Sequence, residues 1–491
     1  MPVDAWLETE LPRLLPAFLP TQRWFGGKAR EIHVVDFEDA VWLAASPYRC
    51  ALIVIGVRYA DDATERYVML LAFVGERTSL PVVGRIDPFG AALWAVEAAT
   101  DAKAVLALLR GFGSRQEVPM LHGGRLRYGD SGAAAERGIA RAATSGNITP
   151  LGAEQSNTSV RLDRTLVFKI FRKLDNGENP EVEVARFLTT GTTFRALPVL
   201  RGSLTYVSAS GESSTAGVLQ DWIESLGDGW THVVALLRQP AAGTAGESLP
   251  RDLRALGVTT ADFHAALATD TTDPAFAPEP VTAADVQIWR VSLLERAARM
   301  FRLVERNIHG WTEDARRLGE ALLDLRGRTP VIAEIPELTM SSRFHKIRIH
   351  GDYHLGQILR TPNGFAVIDF EGEPTRPLAE RRLKHCALKD VAGMIRSFDY
   401  AVETAREHHS NAPDDAPPTR HLREFFLDAY LTAATAHRAT FLPRDRHAID
   451  AWIDFFELEK ALYEVDYEIN NRPAWVRIPL RGILRILRGQ A

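Results

Sequence analysis

The chain has 491 residues, 46% hydrophobic and 25% charged, with 58 basic against 63 acidic side chains and a net charge of −5. That length supports two or three domains with their own cores, and the near-balanced charge excludes the basic footprint of a nucleic-acid or membrane-surface binder. Two cysteines, Cys50 and Cys386, no signal-peptide pattern and no apolar run of roughly 18 residues lead us to expect a reduced, cytoplasmic protein.

Residues 4–19 carry apolar side chains at helical spacing, interrupted by Pro12 and Pro16. Then Gln22-Arg23-Trp24-Phe25-Gly26-Gly27-Lys28-Ala29-Arg30 packs aromatics, glycines and cations into one short stretch. It reads as a basic-aromatic binding loop or, favoured on composition, as a turn whose Trp24 and Phe25 plug a core while the cations stay solvated. Its glycine pair could also serve as a hinge gating closure. Residues 34–37, 48–57 and 66–73 are strand-like and predict a small antiparallel sheet. Residues 91–110 read as a helix, and the polar passage 111–147 as further short strands with a loop around Gly129-Asp130-Ser131-Gly132.

A second β-rich section begins near Ile148. Residues 155–162 and 165–172 read as strand, tight turn, strand, with the small polar residues Ser156, Asn157 and Thr158 at the start. Lys169 lies among apolar neighbours, where a cation needs a partner. The helix predicted from Asn179 to Leu188 has Pro180 in its first turn and offers Glu181 or Glu183, with Glu183 favoured. Residues 217–223, including Gln220 and Trp222, read as a strand leaving this section. Residues 238–250 read as a flexible insertion, and helices follow at 253–267, 283–306, 313–325, 386–409, 420–437 and 444–470, with a loop at 412–418.

The chemistry concentrates in His350-Gly351-Asp352-Tyr353-His354-Leu355-Gly356-Gln357 and Val367-Ile368-Asp369-Phe370-Glu371. Between them, residues 357–360 and 365–368 form a predicted hairpin about the turn Thr361-Pro362-Asn363-Gly364. The hairpin brings Gln357 and Asp369 together, as two oxygen ligands of one metal must be. An acid, an amide five residues later and a second acid after an apolar run suit phosphoryl transfer from a Mg-nucleotide. Asp352 is then the base, Gln357 and Asp369 the Mg²⁺ ligands. Ser156, Asn157, Thr158 and Lys169 fall where a phosphate-covering loop and phosphate-binding lysine belong, and the connector at Gln220 and Trp222 offers backbone groups to adenine. No glycine-Lys-Ser phosphate loop of the Walker type occurs.

Five separated stretches carry a family resemblance: Gln22 to Lys28, His350 to Gln357, Asp369-Phe370-Glu371-Gly372-Glu373-Pro374, Lys389 to Phe398, and Tyr463-Glu464-Val465-Asp466-Tyr467-Glu468-Ile469-Asn470-Asn471-Arg472-Pro473. In these the chain resembles the maltokinases, also found fused to trehalose synthase, over essentially its whole length. The resemblance implies an α+β, bilobal, protein-kinase-like fold of the aminoglycoside phosphotransferase type. It implies a β-rich cap subdomain (residues 1–95), an intermediate subdomain with the nucleotide-binding sheet (96–222) and a helical lobe with the catalytic loop and sugar site (223–491). It further implies ATP- and Mg²⁺-dependent conversion of maltose to maltose 1-phosphate, feeding α-glucan synthesis, in a monomer or homodimer that could partner trehalose synthase. Tyr463, Tyr467 and Arg472 become sugar-site candidates, with Glu371 and Asp390 nearer the reacting end, while His350 and His354 support the catalytic loop. The roles of Glu464 and Glu468, helix pairing or sugar contact, stay open. Lys384-His385-Cys386-Ala387-Leu388 departs from the Ser-Pro-Leu expected before the Lys-Asp-Val-Ala-Gly run. Glucosamine kinases share the cap and catalytic loop, so an amino sugar is the alternative acceptor. A kinase-like binding subunit is the alternative of another class.

Overall fold

Strands β1 (Ile32–Ala45), β2 (Tyr48–Tyr59) and β3 (Thr64–Val74) include nearly unbroken apolar runs, because their sheet is covered on both faces. On β2 the side chains of Cys50, Leu52 and Val54 enter one core while Ala51, Ile53, Ile55 and Val57 enter another. On β3, Val68, Leu70 and Ala72 alternate with Tyr67, Met69 and Leu71 in the same way, as the period of two demands. The computed structural model describes residues 3–489 except 46–47, 88–91, 115–116, 130–131, 153–155, 240–243, 270, 330–343 and 408–418. The loop expected at 412–418 and part of the one at 129–132 lie outside the described residues.

The chain divides into two compact units, Met1–Thr189 with Pro198–Glu224, and Thr190–Leu197 with Ser225–Ala491. In the first unit the sheet runs β1-β2-β3-β5-β4, with β4 Val82–Ile86 and β5 Leu93–Glu97. The N-terminal helices Val3–Thr9 and Leu11–Phe18 cover one face. The other face shares a core with helix Ala102–Leu109 and with a second antiparallel sheet. That sheet is ordered β6-β7-β12-β13-β10-β9-β8, from β6 (Glu117–Pro119), β7 (Arg125–Gly129), β8 (Ile148–Leu151), β9 (Asn157–Leu162), β10 (Leu166–Phe171), β12 (Leu200–Val207) and β13 (Ser213–Asp221). The short β11 (Lys173–Leu174) leaves β10 and pairs with β3. Cap and second sheet therefore share one core, which is why the pieces expected at 1–95 and 96–222 fall in one unit.

The Trp24 motif is a plug. Trp24 and Phe25 are buried against Tyr67, with ring centroids 6.1 and 5.1 Å away, while Arg23 and Lys28 stay exposed. Arg172, 1% exposed, lies with its guanidinium 4.7 Å from the Trp24 ring. It donates to Glu97 Oε1 at 2.9 Å and to Thr158 Oγ1 at 2.8 Å. Gly27 is required for packing: a Cβ there would lie 2.1 Å from the Tyr59 hydroxyl, which donates to Glu65 at 2.5 Å. This gives the glycine a reason other than a hinge. Gly27→Val is expected to lower stability by about 1–3 kcal/mol through overpacking, read as a fall in the thermal midpoint at unchanged secondary structure.

Several expected boundaries move. The helix expected over 91–110 is split, because Trp94-Ala95-Val96 pair in the sheet and the Asp101 side chain caps the following helix through Lys103 N and Ala104 N. The passage 111–147 contains helix Ala133–Ser145, closed by Gly146 at φ +66°. Residues 238–250 are not wholly an irregular insertion, since helix Thr244–Leu267 starts within them. In the second unit that helix packs along Thr419–Ala436, and Leu388–Glu407 packs along Arg446–Asn471. A last helix, Arg477–Leu487, was not read from the sequence. Among the described residues no helix is long and apolar enough to cross a membrane. Both thiols are buried and free, and burial pushes each up to about 12, which leaves them poor nucleophiles.

Candidate active site

In the first unit, Lys169 sits in the middle of β10, opposite Ser159 on β9 and Val218 on β13. It is 6% exposed, and its Nζ donates to Glu181 Oε2 at 2.9 Å. Of the two glutamates the sequence offered, Glu181 makes this ion pair. Helix Pro180–Gly191 begins so that Asn179 Oδ1 accepts from Glu181 N at 2.8 Å, holding that residue at the first turn. Thr158 turns its hydroxyl to Arg172, whereas Ser156 is exposed and Asn157 half-buried. The Trp222 N–H is already donated to Thr165 O at 2.9 Å, and Arg161 lies 5.3 Å from its ring, so this backbone donor is not open to a ligand. Gln220 is buried, and its Nε2 has no hydrogen-bond partner among the described residues.

In the second unit the expected hairpin forms, with strands Ile358–Thr361 and Gly364–Val367. Gln357 N–H₂ donates to Asp369 Oδ2 at 2.8 Å, so the two residues do converge. Asp369 adopts φ +66°, a left-handed conformation that aspartate tolerates better than most residues. An amide oxygen and a carboxylate are hard oxygen donors of the class Mg²⁺ takes, so the pair fits such an ion.

The loop before the hairpin is braced from three sides. Asp390, 1% exposed, accepts His350 N at 2.7 Å and Gly351 N at 3.0 Å. His264 Nε2 lies 3.3 Å from the same carboxylate, with Nδ1 2.9 Å from the Tyr430 hydroxyl. Both oxygens of Asp390 thus hold backbone of the loop, and the residue lines a small cavity together with Asp352, Lys460 and Tyr463. His350 donates Nε2–H to Ile368 O at 2.9 Å, and its Nδ1 accepts Asp352 N at 3.4 Å, which makes it the expected brace. His354 Nδ1 accepts Gly356 N at 3.0 Å, and its Nε2 lies 3.8 Å from Asp352. Gly393 lets helix Leu388–Glu407 approach this loop, since a Cβ there would meet Tyr353 O at 2.7 Å.

Asp352 has a partner the sequence reading missed. Lys460 Nζ lies 3.1 Å from Asp352 Oδ1 and 3.0 Å from Glu373 Oε1. Burial alone would raise the Asp352 pKa, but Lys460 above all, then His354, outweigh it and hold the carboxyl well below the usual range. Glu373 is likewise desolvated, yet Lys460, Lys389 and Arg376 bring it to about 2. The available signal was helical spacing: Lys460 stands three residues before Tyr463 and seven before Tyr467, on one face of a helix.

That face lines a pocket of about 530 Å³ with Asp352 and His354 at its edge, together with Trp230, Tyr400, Tyr463, Tyr467, Arg472 and Trp475. Glu371 and Asp390 are not among its lining residues. Tyr463 and Tyr467 stack at 6.4 Å and 28°, and Arg472 lies 5.4 Å from the Tyr467 ring and 4.6 Å from Trp475. The two glutamates left open by the sequence are both paired within the protein and both also line this pocket. Glu464 binds Arg396 at 2.6 Å, and Glu468 accepts from Tyr400 at 3.0 Å and from Arg472 at 2.6 and 2.9 Å. The departure from the expected Ser-Pro-Leu places His385 against Trp289, with rings 4.3 Å apart, outside this pocket's lining.

Residues 18–101 match the maltokinase N-terminal cap domain, and residues 147–372 match the phosphotransferase enzyme family. The chain is 31% identical over 335 residues to a glucosamine kinase of Mycolicibacterium smegmatis, covering 67% of this chain and 77% of that protein. It is 30% identical over 337 residues to a glucosamine kinase of Streptacidiphilus jiangxiensis, covering 66% and 70%. A solved glucosamine kinase aligns with TM-score 0.65 at 23% identity, over 97% of this chain and 99% of that one. Another, in complex with glucosamine, ADP and inorganic phosphate, aligns with TM-score 0.60 at 22% identity, over 92% and 94%. These two likenesses are of fold.

Proposed function

The chain belongs to the phosphotransferase enzyme family, as a member with a maltokinase N-terminal cap domain, and from that premise we propose that it is an ATP-dependent sugar kinase acting on the anomeric hydroxyl of maltose. The observation that carries this reading is the pocket of about 530 Å³ that puts Asp352 beside the stacked rings of Tyr463 and Tyr467. Aromatic faces receive pyranose rings, and convergent polar groups orient their hydroxyls. Asp352, kept ionised by Lys460, orients the acceptor hydroxyl and takes its proton as the new oxygen–phosphorus bond forms. The bond between the γ-phosphorus and its bridging oxygen breaks, and ADP leaves with that electron pair. Gln357 and Asp369 would hold Mg²⁺, which when bound neutralises phosphate charge. Lys169, oriented by Glu181, serves the nucleotide's phosphates.

This assignment separates the two glutamates. Glu181→Gln is expected to raise the KM for ATP about tenfold, the worth of roughly 1.4 kcal/mol, with Glu183→Gln within about threefold. Steady-state kinetics at saturating sugar distinguish them.

Glucosamine is the second reading, favoured by the names of the relatives that are 30% and 31% identical. ATP consumption by the purified chain with Mg²⁺, against maltose, glucose, glucosamine and no sugar, tests both. Maltose-dependent turnover supports the first, glucosamine-dependent turnover the second. Turnover with none of these sugars would remove both.

A further inference from the structure

Every acid lining the large pocket already has a cation. Asp352 pairs with Lys460, Glu464 with Arg396 and Glu468 with Arg472. A positively charged ligand gains most from a pocket where it meets an uncompensated acid. The pair at the reacting end differs from the other two, because Lys460 bridges two carboxylates at once, Asp352 at 3.1 Å and Glu373 at 3.0 Å. Two acids bonded to one nitrogen form a receptor for an ammonium ion, and here that receptor is filled by the protein's own lysine.

The filling is robust. Lys460 comes from the buried-faced helix Arg446–Asn471, with 22% of its side chain exposed. Burial works against its charge, but Asp352 and Glu373 outweigh it. Behind it, Glu373 Oε2 accepts from Arg376 at 2.7 Å, and Glu459 is held by Lys389 at 2.9 Å and approached by Arg376 at 3.6 Å. Arg296 lies 3.8 Å from Glu459 on the remaining side. Removing the lysine would leave Asp352 with only the more distant His354 beside it and Glu373 Oε1 without its partner, whereas adding a second ammonium beside it brings like charges together. A lysine ammonium also carries three N–H bonds. Two go to the carboxylates, leaving the third for a neutral acceptor such as a sugar oxygen.

We infer that Lys460 sets the acceptor choice of this kinase, occupying the ammonium position between Asp352 and Glu373 and so selecting uncharged sugars over protonated amino sugars. This rests on the sugar-kinase reading and names the substrate class of that site. Lys460 touches the base and lines the pocket, so its loss affects turnover as well as choice. The selective readout is therefore the ratio of kcat/KM for glucosamine to that for maltose, or for glucose if maltose is not accepted.

The experiment compares the full chain with Lys460→Met and Lys460→Arg at neutral pH. The native protein is expected to prefer the neutral sugar. Lys460→Met is expected to raise the glucosamine-to-neutral ratio about 10²-fold, the scale of a relieved like-charge juxtaposition. Lys460→Arg, which keeps the charge, holds the ratio within about threefold. Should Lys460→Met fail to fold, Glu373→Gln serves: it removes one acid while the lysine stays, and the ratio is expected to fall further. A native preference for glucosamine, or a ratio unmoved in Lys460→Met and in Glu373→Gln, overturns the inference while leaving the kinase reading in place. A native chain that turns over no sugar overturns the kinase reading first, and the inference with it.

Discussion

Asp352→Asn is expected to lower kcat by roughly 10³-fold, within the range that a positioned acid or base contributes, while nucleotide binding changes little and the thermal midpoint falls through loss of the ion pair with Lys460. The substitution keeps shape and removes the negative charge. It leaves Lys460, now bonded chiefly to Glu373, facing the acceptor hydroxyl without a group to take its proton. Because Lys460 and His354 hold the native carboxyl well below its usual range, Asp352 is ionised throughout the working pH. The native pH–rate profile should then lack an acid limb above about pH 5. The check is kcat by a coupled assay, with ADP or ATP binding followed by thermal shift on the same preparation. Activity within tenfold of the native protein would remove Asp352 from the reacting centre.

Arg396→Met should destabilise the second unit by about 3–5 kcal/mol, as when a buried pair loses one member. Arg396 is 0% exposed. Its Nε and Nη2 donate to Glu464 at 3.1 and 2.6 Å, and Nη1 donates to Asp399. Burial already pushes the Glu464 pKa up against the pull of Arg396, so without the arginine that carboxyl is left to protonate or to bring in water. Helix Arg477–Leu487 closes over the guanidinium, with Gly482 admitting it: a Cβ there would lie 2.2 Å from Nη1. Denaturant unfolding monitored by tryptophan fluorescence reads the loss. Because Glu464 and Glu468 brace the pocket wall, sugar KM should rise in the same variant at temperatures where it remains folded. A stability change below about 1 kcal/mol would mean the acids find other partners.

The two effects have different standing in the chain. The catalytic hairpin could be read from the sequence because its logic is short-range. A turn, two short strands and the residues at their ends suffice to bring Gln357 within 2.8 Å of Asp369. Lys169 could be read because a charge inside an apolar strand calls for a partner. Choosing that partner was another matter, since Glu181 and Glu183 lie two residues apart on the same first turn. The bracing by Asp390 was not legible either, because the backbone N–H groups its oxygens accept come from a loop about 40 residues earlier in the chain.

By itself the sequence determined the strands around Lys169, the hairpin carrying Gln357 and Asp369, and the helical tyrosine pair. These follow from hydrogen bonding and side-chain periodicity over a few residues. Only the tertiary structure decided that the first sheet is covered on both faces and that Trp24 and Phe25 are buried plugs. It alone brought Lys460 onto Asp352, 108 residues away. Those outcomes depend on which distant segments share a core, and in a dry or half-dry site a charge takes whichever partner the packing delivers.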